Sequence, residues 1–142
     1  VITFSVAFYL AKLAKRYSPK LVHFACLVLA AICFLLFPTV QNEYLFFAII
    51  IGYGIGWASM MGIPYLIIVN HIPKERYGVY MGIINMMIVI PMIFQNLTFG
   101  YILKNFLNND ARLAITFAGV LLLIGAACTL LIQSKKSTQY NN

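Results

Sequence analysis

The chain has 142 residues, of which 63% are hydrophobic and 9% charged, and its formal net charge is +7. A soluble domain carries about 25% charged residues, so this composition excludes an ordinary soluble globular fold. The basic side chains lie in the short joints between apolar runs and form no basic face with exposed aromatics, so we expect no nucleic-acid partner. The three cysteines all fall inside apolar runs, and we therefore expect no disulfide framework, no metal and no cofactor.

The apolar runs predict five helices, in chain order at about residues 1–15, 21–38, 44–70, 74–104 and 111–133. About 20 apolar residues at a rise of about 1.5 Å cross a hydrocarbon core of about 30 Å. The last four runs reach or approach that length. The first run is too short and does not begin with Met, so we interpret it as the end of a helix that starts upstream. The sequence predicts an all-α membrane protein fragment: a bundle over residues 1–133, four full transmembrane helices plus one partial, and a polar tail at 134–142.

The joints between the runs predict the orientation of the bundle. Alternate joints lie on the same side of the bilayer, and the first joint, the third joint and the tail hold eight basic residues: Lys12, Lys15, Arg16, Lys20, Lys74, Arg76, Lys135 and Lys136. The other two joints hold only Lys104 and Arg112. The positive-inside rule then places the basic-rich joints and the C-terminus in the cytoplasm. We expect the membrane to be the plasma membrane. Candidate cytoplasmic loop charges are Lys15, Arg16, Lys74, Glu75 and Arg76.

The four long runs differ in composition. Residues 21–38 and 113–132 are almost entirely aliphatic residues, Phe, Ala and Cys, which is typical of lipid-facing outer helices. Residues 44–69 and 77–103 carry Gly, Pro, Tyr, Asn and Gln at membrane depth. Polar groups there are expensive unless they face protein or a watery cavity, so we expect these two helices to line the interior.

Two stripes run along the helix predicted at 44–70. Small residues recur at helical spacing at Gly52, Gly56 and Ser59, a pattern that lets a neighbouring backbone come close. A bulkier stripe lies about 100° away and contains Tyr53, Trp57, Met60, Met61 and Pro64. Trp57 is near the middle of its span, where its ring suits stacking on the apolar face of a sugar. Ordinary helix packing is the alternative.

The helix predicted at 74–104 repeats the close-packing spacing and adds amides. Its packing and gating candidates are Gly78, Gly82 and Pro91, beside Gly52, Gly56 and Pro64 of the previous helix. Asn85 and Asn96 are about three turns apart and share a face, with Gln95 roughly 80° away. These amides suit hydrogen bonds to the hydroxyls of a polar solute or, alternatively, to a neighbouring helix.

Groups for catalysis or ion coupling are missing from the predicted spans. No Asp or Glu lies deep in any of them, so a proton or cation site is expected elsewhere in the intact chain. His23 and His71 fall at cytoplasmic boundaries without partners at metal or catalytic spacing, and we expect both to be solvated. No nucleophile–base pair is visible, so we expect no enzyme.

Several strings resemble a known family. Residues 54–59 (GIGWAS), 64–65 (PY), 72–85 (IPKERYGVYMGIIN) and 90–91 (IP) resemble the tenth and eleventh helices of major facilitator superfamily transporters. The branch they resemble is the sucrose-transporter-like one, related to glycoside–pentoside–hexuronide:cation symporters. Residues 11–20 are similar to the basic loop between helices 8 and 9, but Ala11 and Ser18 stand where Gly is usual and Lys15 where Asp is usual.

The resemblance implies a fold of twelve helices in two halves that rock about a midplane site in alternating access. This chain would run from late helix 8 to the C-terminus, with helix 10 lining the cavity, helix 11 beside it, and helices 9 and 12 peripheral. Its partners would be the missing N-terminal half, which holds the coupling acid, a sugar, and a coupling proton or cation. The implied function is proton-coupled uptake of a di- or oligosaccharide such as sucrose or maltose.

Two alternatives remain open. An exporter of amphiphilic compounds is favoured by soft, adaptable methionines at Met60, Met61, Met86, Met87 and Met92. A non-transporting membrane scaffold or receptor is the other.

Overall fold

The computed structural model describes residues 2–69 and 72–131, and within those ranges it is helical without β-strands. The five helices are α1 (Ile2–Arg16), α2 (Pro19–Leu36), α3 (Glu43–Val69), α4 (Tyr77–Asn105) and α5 (Ala111–Leu130). Short 3₁₀ turns at Phe37–Thr39 and Lys74–Arg76 extend α2 and precede α4. His71 and the polar tail predicted at 134–142 lie outside the described residues.

Local chemistry explains several of these helix ends. Pro19 occupies the first turn of α2, where its missing N–H costs no hydrogen bond, after an extended Ser18. At the start of α5, a carboxylate oxygen of Asp110 accepts the backbone N–H of Arg112 at 2.8 Å, a standard N-cap. The turn before it holds Asn108 and Asn109 at φ of 48° and 55°, a left-handed conformation that Asn tolerates better than most residues.

Among the described residues, four helical segments are long and apolar enough to cross a membrane: Pro19–Thr39, Glu43–Val69, Tyr77–Asn105 and Ala111–Leu130. Pro64 and Pro91 lie inside α3 and α4 without ending either helix. The predicted fold class, an all-α membrane bundle with four full spans, is therefore confirmed.

The central element of the described bundle is α2, which packs along its length against α3 on one side and α5 on the other. Ala30 and Ala31 in its middle are completely buried, and α1 packs against α3 and, less extensively, α2. This corrects the prediction that residues 21–38 form a lipid-facing outer helix. Lipid tails and protein cores are equally apolar, so the composition of an aliphatic helix does not reveal which of the two it contacts.

Most of α4 is exposed within the described chain. Its only buried residue is Ile84, and large apolar side chains such as Met86, Met87 and Leu97 are exposed along it. Within the described chain α4 contacts the other helices at few points, and its place in the interior of the intact protein stays a prediction. The exposed apolar surface fits a bilayer or another part of the protein.

Close helix contacts occur at glycines, but not at all those predicted. A Cβ added at Gly52 would overlap Sγ of Cys33, and one added at Gly56 would overlap Cβ of Ala30, so both glycines let α3 approach α2. A Cβ at Gly78 or Gly82 would meet no atom within 4 Å. The predicted close packing at these two positions is therefore absent from the described chain, because α4 has no neighbour there.

Candidate solute cavity

A cavity of about 910 Å³ lies between the second half of α4 and the surface formed by α2, α3 and α5. Its wall on α4 includes Gln95, Thr98, Phe99 and Ile102, and the other three helices contribute mainly apolar side chains. The space exists because α4 is held away from the other helices. Its volume falls within the range of pockets that bind small molecules, about 300–1,000 Å³.

One side of the cavity is a continuous aromatic wall, formed by Phe34, Tyr53 and Trp57. The rings of Phe34 and Tyr53 stack with centroids 4.9 Å apart at 22°, and Tyr53 and Trp57 are 6.1 Å apart at 41°. Trp57 is 42% exposed, so much of its ring is open to a ligand. The bulky stripe of α3 therefore faces the cavity.

The other residues of the bulky stripe do not all face the cavity. Met60 and Pro64 also line the cavity, whereas Met61 is exposed elsewhere on α3. The methionines Met86, Met87 and Met92 lie on exposed surfaces of α4 and do not line the cavity either. Of the five methionines that favoured an adaptable binding surface, one contributes to this wall.

Few polar groups in the cavity are available to a ligand. The hydroxyls of Thr98 and Thr129 donate to the carbonyl oxygens of Phe94 and Ala126, at 2.7 Å in both cases. The amide of Gln95 and the hydroxyl of Tyr53 have no hydrogen-bond partner among the described residues. A polar solute in this cavity would meet these two groups with their hydrogen-bonding capacity unused.

Another polar group in the wall is His23, which is only 9% exposed. Its Nδ1 lies 2.8 Å from Oγ of Ser59, whose side chain is fully buried between α2 and α3. This corrects the prediction of a solvated histidine. Ser59 continues the small-residue stripe of Gly52 and Gly56, but no sequence spacing indicates that the histidine of the facing helix reaches it.

Two of the predicted solute contacts lie outside the cavity. Oδ1 of Asn85 accepts a hydrogen bond from the hydroxyl of Tyr65 at 2.7 Å, which links α4 to α3. Asn96 is exposed and does not line the cavity. The face of α4 that lines the cavity carries Gln95 instead, which lies on a different side of the helix from Asn85 and Asn96. The cavity thus brings together Trp57, Tyr53 and Gln95 of the five predicted contacts.

The end of the bundle where α2 begins and α5 ends, here called the Lys20 end, carries several of the basic residues. Nζ of Lys20 donates to the carbonyl oxygen of Leu130 at 2.6 Å, which satisfies an acceptor at the C-terminus of α5. The guanidinium of Arg16 lies 5.9 Å from the ring centroid of Tyr17.

The remaining predicted loop charges make no described ion pair. Glu75 and Arg76 are exposed, in the turn that precedes α4. The side chains of Lys15 and Lys74 lie outside the described residues. A gating role for these charges stays a prediction.

A model of the Major Facilitator Superfamily matches residues 1–141, nearly the whole chain. The chain belongs to the major facilitator superfamily. Among curated proteins and solved structures, no match was found. Membership supports a membrane transporter of the major facilitator type and agrees with the four helices, among the described residues, that are long and apolar enough to cross a membrane. The predicted resemblance is thereby confirmed at the level of the superfamily.

Proposed function

We propose that this chain is the C-terminal portion of a secondary transporter that takes up a di- or oligosaccharide together with a proton or cation. The observation that carries the proposal is the cavity wall that joins exposed aromatic rings to unused hydrogen-bonding groups. Sugars present apolar C–H faces that stack on rings such as Trp57 and Tyr53, and hydroxyls that both donate and accept. The amide of Gln95 has donor and acceptor atoms to match.

Alternating access supplies the mechanism of this proposal. The cavity lies between α4 and the other helices, which α4 contacts at few points, so movement of a second bundle packed against α4 would change how far α4 covers a solute at the aromatic wall. The exposed side of α4 is where that other half of the transporter would pack. Rocking of the two halves would then open the cavity first to one side of the plasma membrane and afterwards to the other.

The proposed orientation places the Lys20 end in the cytoplasm, following the distribution of basic residues in the joints. The described spans contain no Asp or Glu within their interiors; Glu43 starts α3, and Asp110 caps α5. A carboxylate that binds the coupling ion would therefore belong to the other half of the transporter.

A second candidate, export of amphiphilic compounds, is favoured by one observation. Apolar side chains from all four cavity helices outnumber the polar groups, as suits a lipophilic ligand. Its case is weakened because Met60 is the one methionine among the five that reaches the cavity.

Transport by the purified full-length protein in liposomes separates the candidates. With an inward proton gradient, we expect saturable uptake of radiolabelled sucrose or maltose that collapses when a protonophore is added. Vesicles without protein, and vesicles with the Trp57→Ala variant, serve as controls. Transport of a lipophilic cation without any disaccharide uptake would contradict the sugar proposal and support the exporter.

A further inference from the structure

The histidine that the bundle buries beside the cavity has no role in the function proposed so far. His23 lies in the first turns of α2 at the Lys20 end, and it is the one histidine among the described residues. Burying a polar side chain in a membrane bundle is costly unless its hydrogen bonds are satisfied. Of the two ring nitrogens of His23, one has a hydrogen-bond partner among the described residues and the other has none.

The first ring nitrogen, Nδ1, forms a hydrogen bond within the bundle. Nδ1 lies 2.8 Å from Oγ of Ser59, and Ser59 has no exposed surface because α3 packs closely on α2 there. A bond to a fixed hydroxyl holds the imidazole in one orientation, as a partner on the second nitrogen does for histidines that bind ligands. Ser59 therefore positions the ring.

The other ring nitrogen is available. No described residue forms a hydrogen bond with Nε2. Every fully buried side-chain nitrogen or oxygen in the described chain has a hydrogen-bond partner, so Nε2 is not fully buried. His23 is also part of the cavity wall. With Nδ1 held by Ser59, Nε2 is the atom through which the ring can meet a ligand in the cavity.

The Lys20 end of α1 and α2 carries basic residues and, among the described residues, no carboxylate. The helices packed against α2 contribute cationic Lys12 and Arg16 from α1, and Lys20 lies one turn before His23 on α2 itself. The described parts of α1, α2 and α5 hold no carboxylate that would stabilise an imidazolium. Tyr53 of α3 is the other titratable group in the cavity wall. A neutral imidazole has one donor and one acceptor nitrogen, which suits a ligand hydroxyl.

We infer that His23 is a ligand-binding residue of the transporter: Ser59 orients its imidazole, and Nε2 forms a hydrogen bond with a hydroxyl of the solute. This inference rests on the proposed function for the identity of the solute, a sugar. It adds a polar contact on α2 to the one that Gln95 supplies from α4, so that two helices offer hydrogen-bonding groups to the solute.

Two isosteric variants of the full-length protein separate binding through Nε2 from a structural role through Nδ1. The amide nitrogen of Gln reaches about the position of Nε2, whereas that of Asn reaches about the position of Nδ1. We expect His23→Gln to bind sucrose or maltose within about twofold of the wild type. His23→Asn should keep the wild-type melting temperature but bind about 5- to 10-fold more weakly, as expected for one lost hydrogen bond. Wild-type affinity in His23→Asn would overturn the inference.

A chemical readout covers the case in which neither variant folds. Diethyl pyrocarbonate modifies accessible imidazole nitrogens, and peptide mass spectrometry distinguishes modification of His23 from that of other histidines. We expect His23 to react in the wild-type protein and to be protected by a saturating disaccharide. Equal modification with and without bound sugar would refute the inference while leaving sugar transport intact. If the wild type binds no sugar, the proposed function fails, and protection by a bound lipophilic cation then decides whether His23 contacts the ligand.

Discussion

The contact between α3 and α2 at Gly56 is so close that a single added methyl group should separate the helices. A Cβ at Gly56 would overlap Cβ of Ala30 and lie 3.2 Å from the carbonyl oxygen of Cys26. Neither atom is the end of a flexible side chain, so the clash cannot be relieved by a change of rotamer. The helices must move apart instead, and overpacking of this kind costs typically about 1–3 kcal/mol.

Gly62 of the same helix provides a matched control, because a Cβ there meets no atom within 4 Å. Replacing Gly by Ala inside a helix gains up to about 1 kcal/mol of propensity at either position, so this term cancels in the comparison. We expect Gly56→Ala to be about 1–3 kcal/mol less stable than Gly62→Ala, measured as unfolding of the full-length protein in detergent. Gly56→Leu should be worse, with loss of expression or of transport.

The double variant Gly56→Ala with Ala30→Gly tests the assigned cause. It removes the methyl group that the new Cβ would meet, so it should recover part of the loss, with a coupling energy of about 0.5–3 kcal/mol. Equal melting temperatures of Gly56→Ala and Gly62→Ala, or no coupling energy with Ala30→Gly, would show that α3 does not contact α2 closely at Gly56 and Ala30 in the protein.

Three further predictions concern topology, the α3–α4 contact and the need for a second half. In intact cells, an impermeant thiol reagent should label a cysteine placed at Asn42 but not one placed at Glu75; the reverse pattern would invert the proposed orientation. Tyr65→Phe and Asn85→Ala should each lower stability by about 1 kcal/mol, and the double variant should lose no more than either single one; additive losses would mean that the two side chains do not pair. The 142-residue chain alone, reconstituted in liposomes, should show no saturable sugar uptake, since it lacks the second bundle against which it would rock; uptake by this chain would refute the two-half mechanism.

The sequence was sufficient to predict the helices and the faces of α3. Unbroken apolar runs and their polar joints predict four spans, and the 3.6-residue period separates the stripe of Gly52 and Gly56 from the stripe of Tyr53 and Trp57. The first of these stripes packs on α2 and the second faces the cavity. Both periodicities are local, so one helix suffices to reveal them.

Contacts between helices could not be predicted in the same way. His23 was expected in solvent because its own helix offers no partner; its partner Ser59 is 36 residues away on α3. Asn85 and Gln95 are both amides on α4, and only the packed structure shows which one turns to the cavity. The central position of α2 was missed for a similar reason, since an aliphatic surface suits a lipid and a neighbouring helix equally well.

Covalent mapping would locate the sugar that we propose to bind in the cavity between α4 and the other three helices. A disaccharide bearing a diazirine would be photolysed with the full-length transporter, and the adducts located by peptide mass spectrometry. We expect adducts on cavity-lining residues, Trp57 and Gln95 above all, that disappear when excess unlabelled sugar is present. Competable adducts confined to residues outside the cavity, such as Asn96 or Met61, would contradict it.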